Sequence, residues 1–127
     1  MKKEVKNWLD SADYDLETAE YMFKTGRYIY TIFMCHLALE KVLKAKVEDV
    51  TGKTPPKTHD LEYLVGLAKL SLDEDMERFI AELSNLSVVT RYPTDFQRML
   101  KDFSRERAEP VLKKTKEVFQ WIKKSIV

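Results

Sequence analysis

Arg91, Tyr92 and Pro93 stand together in the stretch Thr90-Arg91-Tyr92-Pro93-Thr94-Asp95-Phe96, where a helical pattern of apolar residues gives out. A guanidinium, a phenol and a ring-fixed backbone at adjacent positions suit a phosphate or a base. Arginine grips phosphate oxygens through parallel hydrogen bonds, and an aromatic ring packs against a base or donates through its hydroxyl. The same residues also suit a purely structural turn, with the arginine paired to a carboxylate and the tyrosine packed between helices. The chain has two histidines, His36 and His59, and both precede Arg91.

Two other groups of residues carry chemistry. His36, Glu40 and Lys44 follow one another at four-residue steps, with Lys41 beside them. On a helix this spacing lets a carboxylate hold an imidazole and then an ammonium. One reading is a surface strip of favourable pairs; the other is Lys41 and Lys44 presenting two ammonium groups to a phosphate. The second group is Thr58-His59-Asp60-Leu61 at a helix start, where free backbone amides favour an anion; His59 either binds or senses it, or only packs and hydrogen-bonds locally. With two histidines and one cysteine there is no metal-ligand spacing, and the sequence holds neither a glycine-rich phosphate loop nor a serine-centred nucleophile motif. No cofactor is expected.

The elements that position these groups read as helices. The 127 residues make one domain, 1–127, with three glycines and four prolines to punctuate it. Trp8, Leu9, Ala12, Leu16, Ala19 and Phe23 recur at helical steps, and Gly26 stops that first helix. A second runs from about Arg27 to Thr51, with Ile32, Cys35, Leu39, Val42 or Leu43, and Val47 inward, and Gly52 ends it. Thr58 is the expected cap of a third helix carrying Leu61, Leu64, Val65 and Ala68, and Ser71-Leu72-Asp73-Glu74 reads as the capping box of a fourth reaching Thr90. Ser104 caps the last helix, where Pro110 implies either a kink or a start near Glu109. The fold class is all-α: an antiparallel up-and-down bundle of four to five helices.

Charge and cysteine content narrow the function classes. A formal net charge of +1 is unlike that of a strongly basic nucleic-acid binder. Between Arg98 and Lys124, however, arginine and lysine outnumber the acids Asp102, Glu106, Glu109 and Glu117. That is either a solvated, salt-bridged helix face or a basic face for an acidic partner. Cys35, the only cysteine, excludes an internal disulfide and reads as a buried filler. Met1-Lys2-Lys3-Glu4-Val5-Lys6 is not followed by the apolar run of a secretory signal, and no stretch is long enough for a membrane span, so the expected location is the cytoplasm.

Taken in order, Trp8-Leu9-Asp10-Ser11-Ala12-Asp13-Tyr14-Asp15-Leu16 with Ala19, Ala38-Leu39-Glu40-Lys41-Val42-Leu43-Lys44-Ala45, Thr58-His59-Asp60-Leu61 with Leu64, and Thr90-Arg91-Tyr92-Pro93 form a recognisable set. Over nearly its whole length the chain resembles the HEPN domain (higher eukaryotes and prokaryotes nucleotide-binding). The resemblance implies a helical bundle that commonly dimerises and, in prokaryotes, is often encoded beside a minimal nucleotidyltransferase in a two-component, toxin–antitoxin-like system. Many HEPN proteins are metal-independent ribonucleases whose motif is an arginine, four to six residues, then a histidine.

This chain departs from that motif, because no histidine follows Arg91. Metal-free RNA cleavage needs a group that titrates near neutral pH, and tyrosine titrates far above it. The expectation is therefore a non-catalytic nucleotide- or substrate-binding HEPN protein, a homodimer, working with a minimal nucleotidyltransferase. Arg91 and Tyr92 lead the binding residues, with Lys41, Lys44 and His59 behind them. The alternatives are a ribonuclease in which Arg91 works with Tyr92 or His59, and a dimerisation or interaction module.

Overall fold

The computed structural model describes residues 1–126. Six helices follow one another: α1 (Lys3–Lys24), α2 (Tyr28–Thr51), α3 (Leu61–Leu67), α4 (Glu74–Arg91), α5 (Phe96–Asp102) and α6 (Arg105–Lys124), with no strand among the described residues. The all-α bundle is as expected. The short α5 after the Arg-Tyr-Pro turn was not, because its seven residues bury only Met99 and leave no periodic stripe to read.

α1 and α2 form a long helical hairpin, turned at Thr25-Gly26-Arg27, where Gly26 takes a φ of +78° that a side chain would strain. α2 is the centre of the molecule: α1, α3, α4, α5 and α6 all pack against it. A helix covered on so many sides must be apolar around most of its circumference, and Ile32, Cys35, Ala38, Leu39, Val42, Leu43 and Ala45 are all fully buried. Val42 and Leu43 thus both face inward. The same cover takes His36, Glu40, Lys44 and Glu48 out of solvent. A surface strip was one of the two readings for His36, Glu40 and Lys44, and the burial of α2 overturns it.

Local chemistry sets the helix ends. Asp60, not Thr58, caps α3, accepting from the Tyr63 amide at 3.1 Å, while the Thr58 hydroxyl accepts from the Asp60 amide. Asp73, not Ser71, caps α4 by accepting from the Met76 amide at 2.8 Å. Aspartate displaces the hydroxyl residue in both places, and its charge also faces the positive end of the helix. Ser104 caps α6 as expected, accepting from the Arg107 amide, and the helix continues through Pro110 without a late start. Pro110 lies in the second turn on the exposed side, so the Glu106 carbonyl, deprived of its usual amide partner, remains near water.

The basic residues of α6 are largely matched by acids. Lys114 pairs with Asp75, Lys116 with Glu20, Lys123 with Asp13 at 3.0 Å and Arg105 with Glu109 at 3.3 Å. That is the salt-bridged face of the two readings. Cys35 is fully buried, and burial pushes its thiol pKa up to about 12 against the smaller opposing effect of the neighbouring Thr115 side chain. No helix among the described residues is long and apolar enough to cross a membrane.

Candidate functional site

Three elements converge at the C-terminal end of α4. α2 contributes Phe33, His36, Glu40 and Lys44, which lie at three- and four-residue steps along one face. α4 contributes Ser84, Ser87 and Arg91 by the same spacing. The segment entering α3 brings His59 and Asp60. His36, His59, Asp60, Ser84, Ser87, Arg91 and Tyr92, with Val88, enclose a cavity of about 200 Å³.

Arg91 is the last residue of α4, where a cation also complements the negative end of the helix. Its guanidinium lies over the Phe33 ring, 5.1 Å from the centroid, and one of its terminal nitrogens is 3.5 Å from His36 Nδ1. Arginine can only donate, so His36 Nδ1 accepts and the ring is neutral. Its pKa is lowered to about 4, first by burial and then by the neighbouring Arg91 charge, with Glu40 and a backbone hydrogen bond at His59 opposing. Arg91 Nε is buried and has no hydrogen-bond partner within the protein.

His59 is arranged differently. Its ring is exposed, yet Nδ1 is 2.8 Å from Glu40 Oε1, so a buried carboxylate fixes an otherwise free imidazole. The other oxygen of Glu40 accepts from Lys44 at 3.1 Å, and the Lys44 ammonium sits 5.5 Å from the centre of the Trp8 ring. Lys44 therefore neutralises Glu40 in the interior and cannot reach outward. Lys41 points elsewhere: it bridges α2 to α1 through Asp15 and Ser11, each at 2.8 Å. Tyr92 follows α4 with φ −127° and ψ 66°, out of the helical range that the proline after it disfavours, and it is 75% exposed.

Of the five binding residues expected from sequence, the structure thus brings Arg91, Tyr92 and His59 to one cavity. It connects Lys44 to them only through Glu40 and places Lys41 on another contact. Sequence reading missed His36, Ser84, Ser87 and Phe33 as members of the group. The α4 residues had a legible signal in their spacing, since Ser84, Ser87 and Arg91 fall on one helical face. His36 had none, because it reaches Arg91 only through the packing of α2 against α4.

Buried side-chain atoms without a protein partner are Asp15 Oδ2, Ser84 Oγ, Ser87 Oγ, Arg91 Nε and Thr115 Oγ1 among the described residues. Asp15 still faces the Lys41 ammonium. Three of the remaining four belong to residues lining this one cavity. Two hydroxyls and a guanidinium nitrogen, all able to donate, thus belong to residues around one space large enough for an anion. An orphaned buried donor costs about 1–3 kcal/mol, so their concentration here marks a place that a ligand's acceptor oxygens would stabilise. Asp60 opposes this at the rim, although its carboxylate is committed to the Tyr63 amide. No group of three histidine, cysteine or acidic side chains among the described residues is placed to hold a metal.

The family model of the HEPN domain matches residues 5–126. No curated protein matches the chain. Among solved structures, the chain is similar to the crystal structure of TT1696 from Thermus thermophilus, with a TM-score of 0.77 and 21% identity over 97% of this chain and 98% of that one. It is also similar to ST0689, described as an archaeal HEPN homologue, with a TM-score of 0.79 and 19% identity over 100% of both chains. At such identities the likeness is one of fold.

Proposed function

Because the chain belongs to the HEPN domain family, we propose that it is a nucleotide- or phosphate-binding protein working with a minimal nucleotidyltransferase in a two-component, toxin–antitoxin-like system. The observation that carries this reading is the set of unpartnered donors, Arg91 Nε with the Ser84 and Ser87 hydroxyls, around one cavity. Arg91 supplies the charge for a phosphate, and Phe33 and His36 hold the guanidinium in place. His59, fixed by Glu40, presents its remaining ring nitrogen as a second contact, and Tyr92 lies beside it for a base or sugar. The same reading makes the protein a cytoplasmic homodimer, and light scattering at micromolar concentration that reports a monomer counts against the dimer. Calorimetric titration with nucleoside monophosphates tests the site: binding that Arg91→Ala abolishes supports it, and no heat with any nucleotide rejects it. Co-purification with a nucleotidyltransferase encoded beside this chain tests the partner.

One contact favours a second reading, a metal-independent ribonuclease. A carboxylate that fixes an imidazole by Nδ1 is the arrangement by which enzymes orient a general base, and Glu40 and His59 stand 2.8 Å apart in that way. Cleavage of RNA in EDTA, lost in both His59→Ala and Arg91→Ala, would establish it.

A further inference from the structure

A larger groove adjoins the Arg91 cavity. It has a volume of about 540 Å³ and runs between the end of α4, the turn through Pro93, α5 and the start of α6. Val88 and Tyr92 line both spaces, so the two adjoin one another at these side chains. The floor of the groove is apolar, with Met99 and Phe103 buried and Val88 and Val89 exposed at 59% and 49%. Its rim carries two guanidiniums. Arg107 lies 4.7 Å from the centre of the Phe103 ring, and Arg98 is 79% exposed with only a loose 3.9 Å approach to Asp102.

Size separates the roles of the two spaces. Small-molecule sites usually occupy roughly 300–1,000 Å³, so the Arg91 cavity, at about 200 Å³, takes a phosphate and little more. A nucleotide whose phosphate lies there must put its base a sugar's length away, and the groove beyond Tyr92 is the adjoining space. An aromatic base has apolar faces and a polar edge. Val88 and Val89 match the faces, and Arg98 offers donors to the edge.

We infer that this groove is a base-binding compartment, so that a nucleoside monophosphate straddles Tyr92 with its phosphate at Arg91 and its base over Val89 beside Arg98. The inference rests on the phosphate reading of the Arg91 cavity and adds a second, separable subsite to it. A base that also stacks on the exposed Tyr92 ring should bind roughly tenfold or more tightly than a sugar phosphate alone.

Calorimetry with ribose 5-phosphate and with the four ribonucleoside 5′-monophosphates separates the two subsites. At least one nucleotide should bind about ten times more tightly than ribose 5-phosphate. The double variant Val89→Asn/Arg98→Gln changes exposed side chains and is checked for helicity by circular dichroism. It should lose that advantage while its affinity for ribose 5-phosphate stays within about twofold. Equal affinity of every nucleotide and ribose 5-phosphate overturns the base compartment and leaves the phosphate site standing. Binding of none of these ligands overturns both.

Discussion

Arg91 and His36 stand 55 positions apart in the chain and 3.5 Å apart in space, the arginine donating to the imidazole Nδ1. An arginine short of a downstream histidine thus acquires one from an earlier helix. The imidazole it acquires is buried and neutral, an acceptor that holds the guanidinium rather than a group open to substrate.

That state of His36 makes stability depend on acidity. Its pKa falls from 6.5 to about 4 on folding, so between those values the unfolded chain binds the proton more readily than the native one. Stability is therefore intact above about pH 6.5 and declines as pH drops towards 4, and this group adds no further loss below that. At pH 5 the loss amounts to about 2 kcal/mol. Urea unfolding at pH 7 and pH 5 should show it, and His36→Gln, which cannot take up the proton, should flatten this part of the profile.

Glu40 is stabilised in the interior by Lys44, at 3.1 Å. Lys44→Met strands that buried carboxylate and should cost about 3–5 kcal/mol. Adding Glu40→Gln should recover much of the loss, because a neutral amide needs no counter-charge. A double-mutant cycle by denaturant unfolding measures the coupling; additive losses would mean that the pair is not coupled.

Ser87 is buried and its hydroxyl has no partner. Ser87→Ala should change stability by less than about 1 kcal/mol, since no protein hydrogen bond is lost. The same variant should bind phosphate several-fold more weakly. A fall in stability without a fall in affinity would assign the hydroxyl to packing.

Cys35 is fully buried, with its thiol pKa pushed up to about 12 by burial. A thiol-specific reagent at pH 8 should leave the native protein untouched and modify one thiol per chain once urea unfolds it. Fast modification of the native protein would show that the α2–α6 contact opens.

Much of this was legible in the sequence. The core stripes of α1, α2, α4 and α6 were, because burial on one helical face forces a period that can be counted. Ser104 as a cap and Gly52 as a terminator were legible for equally local reasons. α5 was not, since seven residues with one buried side chain make no pattern. Nor was the choice of Asp60 over Thr58, or Asp73 over Ser71, because neighbouring residues with similar capping chemistry differ only in which one the backbone turns inward. Within the site, Arg91 and Tyr92 announced themselves by the proline after them, whereas His36 joined them through packing that no spacing encodes. Lys41 and Lys44 looked alike in sequence, and only their neighbours, Asp15 for one and Glu40 for the other, distinguish them.

If Arg91 anchors an anion in the cavity beside His36 and His59, its side-chain Nε–H, buried without a protein partner, reports the event without an intermediary. In a proton–nitrogen NMR titration with inorganic phosphate or a nucleoside monophosphate, that resonance should move saturably, and Arg91→Lys should abolish binding. An Nε–H signal unmoved at millimolar ligand, in protein whose other resonances are well dispersed, would mean that no anion is held there.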